Sequence, residues 1–170
     1  MDLPSLSPEA AASAADWPHY LAQIEQRCRE QQASLTPIRR EVLEWLYRHP
    51  NGLKAYDLLA LVRQQRPNAM PPTVYRALDF LIEQGLAHKI GRSNTFVVCR
   101  HDSHRLPGLF LLCPRCGGIS ELPAEAALQA LLQALEQAGH RLDSPEVELS
   151  AVCPACQAQA GLEKTAVDAI

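Results

Sequence analysis

The sequence predicts an α+β protein, with an N-terminal winged helix-turn-helix domain followed by a small C-terminal α/β domain that carries a four-cysteine site. Three observations predict it. Helical apolar periodicity recurs in four consecutive segments between residues 19 and 85, then gives way to two short strand-like runs separated by Gly91-Arg92-Ser93-Asn94. After residue 100, short apolar strands flank one long amphipathic stretch. Two Cys-x-x-Cys pairs, Cys113/Cys116 and Cys153/Cys156, bracket that stretch.

Residues 1–17 are rich in Ala, Ser and Pro and are expected to be a flexible N-terminus. In "HYLAQIEQRCREQQA", Leu21, Ile24 and Cys28 stand at helical spacing. "LTPIRREVLEWLYRH" opens with Thr36 as N-cap and Pro37 at the first helical position. Its apolar stripe is Ile38, Val42, Trp45 and Leu46, and "HPNG" stops it. "KAYDLLALVRQQ" is a third helix, closed by Arg66-Pro67-Asn68. "PPTVYRALDFLIEQG" is a fourth, led in by two prolines and ended by Gly85. Its buried stripe is Val74, Ala77, Leu78, Leu81 and Ile82, with Tyr75, Arg76, Asp79 and Glu83 turned away. "LAHKI", "GRSN" and "TFVVC" then read as strand, turn and strand, the wing of an 18–99 domain. Beyond a hinge at 100–106, the 107–157 domain has strands in "GLFLLC", "GISEL" and "EVELSAVC". Its helix, "PAEAALQALLQALEQAG", has Leu128, Leu131, Leu132 and Leu135 on the apolar face. Residues 158–170 are expected to be a flexible tail.

Composition is that of a soluble globular chain: 170 residues, 47% hydrophobic and 21% charged. No apolar run reaches the roughly 18 residues of a membrane span. The acidic N-terminus lacks the basic and apolar regions of a signal peptide. The expectation is a cytoplasmic protein without a membrane partner. In that reducing compartment, spaced cysteine pairs point to metal or redox chemistry rather than disulfides. The net charge of −3 divides into −3 over residues 1–34, +4 over 35–92 and −4 over 93–170. Only the middle block suits a polyanion.

A redox pair needs one Cys-x-x-Cys and leaves the second unexplained. A zinc deaminase would require a His-x-Glu motif, absent here, and a Pro before the first Cys of the pair, where Leu112 and Val152 stand. Two knuckles complete the tetrahedral thiolate shell that Zn²⁺ accepts, so Cys113, Cys116, Cys153 and Cys156 are expected to hold one structural zinc. A domain of roughly 60 residues gains from it the stabilisation its own core is too small to supply.

A second set of donors lies around the hinge: His88 and Cys99 on the hairpin arms, then His101, His104 and Glu121. A mixed imidazole, thiolate and carboxylate set suits Zn²⁺, and the sulfur argues against a hard cation.

On the motifs "LTPIRREVLEWL", "AYDLLALVR", "PPTVYRALDFLIEQGLAHKI", "NTFVVC", "LCPRCG" and "CPAC", the chain resembles the ferric uptake regulator family over about residues 20–157, and its zinc-sensing branch more closely. The resemblance implies a homodimeric, metal-responsive DNA-binding repressor. Its winged-helix domain would be joined to a C-terminal dimerisation domain, with about two zinc ions per chain, one structural and one regulatory. Residue by residue it implies His88, Cys99, Glu121 and His104 as regulatory ligands, with His101 as the alternative to His104, because the segment from Cys99 to Cys113 is one residue shorter than in that branch. The His-rich run of iron-sensing members is absent before Cys113, and Ser144-Pro145 stands where many members carry a His. His140 is read as a surface residue.

The helix from Thr73 would then enter a major groove, with Arg76 reaching guanine N7 and O6 and Tyr75 a phosphate or thymine methyl. Tyr56 resembles a family residue that approaches bases. Arg39, Arg40, Lys54 and Lys89 are candidate phosphate contacts. A two-fold dimer would address an AT-rich inverted repeat of double-stranded DNA, and zinc would fix the angle between its two heads. The regulated genes would be zinc uptake functions. No open-site triad with a general base stands out, so neither an enzyme nor a small-molecule substrate is expected. The alternatives are a zinc-stabilised protein-binding adaptor and a family member sensing another metal.

Overall fold

The computed structural model describes residues 16–99, 108–122, 125–143 and 146–159. These fall into two compact units, one on each side of residue 105. His101, His104, the hinge and Ser144-Pro145 lie outside the described residues, as do residues 1–15 and 160–170.

The N-terminal unit contains α1 (Trp17–Glu30), α2 (Pro37–Arg48), α3 (Ala55–Gln65) and α4 (Pro71–Glu83), then β1 (Ala87–Ile90) and β2 (Thr95–Val98). Helix α1 begins at Trp17, whose buried ring lies against Tyr47 at 5.1 Å, so the last residue of the segment expected to be flexible is helical and packed. Helix α2 starts at Pro37, with Thr36 in extended backbone and the first helical bond running from Arg40 N–H to Thr36 C=O at 3.0 Å. The Thr36 hydroxyl makes no cap bond. Helix α4 ends as its glycine predicts: Gly85 has φ +63, its N–H donates to Ile82 C=O at 2.8 Å, and Leu86 N–H donates to Leu81 C=O at 2.7 Å.

The buried face of α2 is wider than the predicted stripe. It includes Glu41, Leu43 and Tyr47 besides Val42 and Leu46, while Ile38 and Trp45 are half-buried at its margin. The reason is that α2 packs against α3, α4 and β2 together. Strands β1 and β2 form an antiparallel hairpin in the register Ala87↔Val98, His88↔Val97, Lys89↔Phe96 and Ile90↔Thr95. Leu53 adds a further rung, exchanging bonds of 2.9 and 2.8 Å with Phe96. Gly52 allows this: at φ +75 it has no room for a Cβ, which would come within 2.7 Å of the Phe96 carbonyl oxygen.

The C-terminal unit contains β3 (Gly108–Leu112), β4 (Ile119–Glu121), α5 (Glu125–Gln137) and β5 (Glu146–Ser150) in a three-stranded sheet of order β4-β3-β5. β4 pairs with β3 antiparallel and β5 pairs with it parallel. Of the predicted α5 stripe, Leu128 is buried and Leu132 and Leu135 are half-buried. Leu131 is 40% exposed, and Leu149 on β5 is 48% exposed.

Candidate metal centre and nucleic-acid interface

The parallel pairing of β3 with β5 explains how two cysteine pairs with 36 residues between them meet. Leu112 lies opposite Ser150, and Ala151 N–H continues the ladder to Leu112 C=O at 3.1 Å. Both strands therefore run out at the same end of the sheet, one into Cys113 and the other into Cys153. The first knuckle turns back on itself: Cys113 N–H donates to Gly118 C=O and Gly117 N–H to Cys113 C=O, each at 2.9 Å. Gly117 sits at φ +72, the left-handed conformation this turn requires. In the second knuckle, a helical turn over 154–159 begins directly after Cys153. Arg115 spans the two knuckles by donating to Cys156 C=O at 3.1 Å, a contact the sequence pattern did not single out.

The four cysteine sulfurs lie within 4.8 Å of one another, the one group of three or more metal-binding side chains among the described residues. Cys116 Sγ and Cys153 Sγ, from different pairs, are 3.8 Å apart. Zn–S bonds of about 2.3 Å in a tetrahedron require sulfur–sulfur edges of about 3.8 Å. A disulfide would require about 2.05 Å. The residues fit a tetrahedral thiolate-bound cation, and convergence of all four sulfurs fits neither a single redox pair nor two disulfides.

Backbone amides prepare the site for negative charge. Cys153 N–H donates to Cys113 Sγ and Gly118 N–H to Cys116 Sγ, both at 3.4 Å. The Cys153 amide, followed by that of Cys116, lowers the Cys113 thiol to about 6. Cys156 is pushed the other way, to about 12, first by its side-chain hydrogen bond with Cys153 and then by burial. A divalent ion would take these sulfurs as thiolates.

The second predicted ligand set is divided. His88 on β1 and Cys99 just after β2 belong to the N-terminal unit, Glu121 at the end of β4 to the C-terminal unit. Within the hairpin, Cys99 N–H bonds Leu86 C=O at 2.9 Å, which places Cys99 opposite Leu86. His88 is two residues on from Leu86, so His88 and Cys99 share one face of the hairpin as diagonal neighbours. Cys99 is buried, as is the Nε2 atom of His88.

On the N-terminal unit, the exposed face of α4 carries Tyr75, 52% exposed, and Arg76. Tyr56, near the start of α3, is 79% exposed. Lys54 and Lys89 are exposed. Arg39 and Arg40 are engaged within the unit: Arg39 lies 3.6 Å from the centre of the Phe80 ring and donates to Ser34 C=O at 2.6 Å, and Arg40 pairs with Glu25.

A model of the ferric uptake regulator family matches residues 30–150. The zinc uptake regulation protein of Escherichia coli (strain K12) is 39% identical over 137 residues, 80% of each chain. A zinc uptake regulator solved with zinc and DNA superposes with a TM-score of 0.78 at 37% identity, covering 85% of this chain and 97% of that one. The holo form of XcZur gives 0.73 at 35% identity, over 82% and 98%. No described helix is long and apolar enough to cross a membrane.

Proposed function

The chain belongs to the ferric uptake regulator family, and we propose that within it the protein is a zinc-responsive repressor that binds operator DNA as a homodimer and silences zinc uptake genes. The observation that carries the reading is the likeness, at more than a third identity over nearly the whole of that chain, to a regulator solved with both zinc and DNA. The four converging thiols and the exposed Tyr75 and Arg76 on α4 support it from this chain's own residues.

In this reading residues 18–99 form the DNA-binding domain, extended at its start by Trp17, and 107–157 the dimerisation domain. Cys113, Cys116, Cys153 and Cys156 hold the structural zinc. His88, Cys99, Glu121 and His104, or His101 in its place, hold the regulatory zinc. Zinc supplies a divalent centre that accepts thiolate, imidazole and carboxylate donors in one shell. The protein's part is to present those donors already oriented, so that the metal favours the DNA-binding state by its higher affinity for it. Arg76 and Tyr75 read base edges, Tyr56 approaches them, and Lys54 and Lys89 meet phosphates. Arg39 and Arg40 contribute to DNA binding only if they leave their present partners. The exposed Leu131 and Leu149 supply apolar surface for a second copy.

The test is a mobility-shift titration on an AT-rich inverted repeat at buffered free zinc. Wild-type protein is expected to bind as a dimer only when the reversible site is filled. Cys99→Ser is expected to remain a folded dimer retaining one zinc and to lose the zinc dependence. Equal DNA affinity with and without zinc, or a response confined to another divalent metal, would refute the reading.

A further inference from the structure

Helix α1 takes no part in the DNA-reading surface or in either ligand set, yet it makes one directed contact with the sensing end of the wing. The Tyr20 hydroxyl donates to the Cys99 carbonyl at 2.9 Å, across 79 residues of sequence. On the other side of the same residue, Cys99 N–H donates to Leu86 C=O at 2.9 Å. Both peptide groups flanking the Cys99 Cα are therefore held, one by the hairpin ladder and one by α1. Holding both fixes the direction of the Cα–Cβ bond, and with it the arc on which the buried sulfur can lie. This is the face of the hairpin that Cys99 shares with His88.

Tyr20 is itself held in place. Its ring packs against Tyr47 at 4.8 Å and Trp17 at 5.9 Å, and Trp17 meets Tyr47 at 5.1 Å. Tyr47 and Trp17 are buried, and Ile24 and Cys28 fasten the rest of α1 to the same core. The phenol therefore extends from a fixed aromatic platform on α1 and α2 to the point where the chain leaves β2.

We infer that Tyr20 is a positioning residue for the regulatory metal site: its bond to the Cys99 carbonyl presets the sensing thiol and so raises the zinc affinity of that site. The inference rests on the assignment of Cys99 as a regulatory ligand made above. Metal affinity includes the cost of ordering the donors, and a ligand held at both peptides has already met most of that cost. Without the hydroxyl, the Cys99 carbonyl loses its bond to α1 at the point where the strand ends.

Tyr20→Phe keeps the aromatic stack and removes only the donor. In the full-length protein, competition with a chelator of known affinity should show the reversible site weakened about three- to tenfold. The tightly held zinc should be unchanged, and operator affinity at saturating zinc should stay at the wild-type value. With cobalt as probe, the reversible site should keep its thiolate charge-transfer band but need more metal to reach it. Ile24→Val is the control: it loosens the same helix from the core without touching Cys99, and should leave the zinc affinity where it was. Unchanged affinity in Tyr20→Phe, or an equal shift in Ile24→Val, overturns the inference. Cys99→Ser separates the two levels. If that variant keeps its zinc response, the ligand assignment fails and the inference with it. If it loses the response while Tyr20→Phe keeps wild-type affinity, only the inference fails.

Discussion

The two units of this chain solve the same stability problem differently. In the N-terminal unit, Val42, Leu43, Leu46, Leu58, Val62, Leu78 and Leu81 are all fully buried in one continuous core drawn from four helices and the wing. In the C-terminal unit, the buried hydrophobic residues among those described are Leu109, Phe110, Leu128 and two of the cysteines. Helix α5 buries one residue of its 13. Burial at about 25 cal/mol per Å² holds the first unit against its chain entropy. The second buries little apolar surface among its described residues, and in the proposed reading cross-linking by a metal and covering by a second copy supply the rest. On that reading the same chain carries a part held by its own core and a part whose stability depends on zinc.

The largest expected effect follows from that contrast. Cys113→Ser leaves an incomplete shell in the unit with the small core. Amide exchange should show protection lost across β3 and β5, with dimerisation lost and zinc content lowered by one per chain. Protection in α2 and α4 should survive. A folded, dimeric Cys113→Ser protein would break the comparison. The reciprocal variant is Leu78→Ala, which removes a fully buried side chain from α4. It should cost about 2–5 kcal/mol of stability in the N-terminal unit while the tightly held zinc stays in place. Global loss of both units in either variant would mean they fold as one.

The sequence revealed the two units unequally, and for a physical reason. Local signals carried the first: Pro37 and Pro71 at helix starts, Gly85 at a helix end and the Gly91–Asn94 turn all act through neighbouring backbone. Effects that depend on three-dimensional neighbours were not legible. Leu53 joins the wing through one rung with no strand run to announce it. Glu41 is 9% exposed on α2 because Arg66, 25 residues later, bonds its carboxylate at 2.6 Å. The partial exposure of the predicted α5 stripe was equally invisible, since periodicity gives a face but not what covers it. The four-cysteine site was legible because two short knuckles constrain one ion whatever separates them. The regulatory set has no such signature: its donors come from separate elements with no fixed spacing, so donor chemistry suggests the group and only the resemblance assigns its members.

Next in size is a change at the DNA surface, which should leave both stability mechanisms untouched. Arg76→Ala should lose about 1–3 kcal/mol of operator binding per half-site, with sequence preference relaxed at the contacted base pair. Thermal unfolding and zinc content should match wild type. Lys89→Ala should weaken all sequences alike and lower the salt slope by about one ion per site. Retained operator preference in Arg76→Ala, measured by competition against unrelated DNA, would remove α4 from base recognition.

The smallest effect compares one kind of residue in the two units. Cys28 is a cysteine in the self-sufficient unit, buried on α1 against the core, where burial, its largest influence, raises its thiol above the ordinary value of 9.0. There it acts as a small hydrophobe and not as a metal ligand. Cys28→Ala should cost about 1 kcal/mol or a little more, with zinc content and zinc response unchanged. The pH dependence gives a sharper test. A thiol whose folded value lies above its unfolded value stabilises the fold at neutral pH, and that contribution is lost as pH rises through the alkaline range. Wild-type stability should therefore fall more steeply than that of Cys28→Ala above about pH 9, so the gap between them should narrow there. A gap constant from pH 7 to 10 would show that burial does not hold this thiol neutral. Altered zinc binding in the variant would show that the division between packing cysteine and ligand cysteine is drawn in the wrong place.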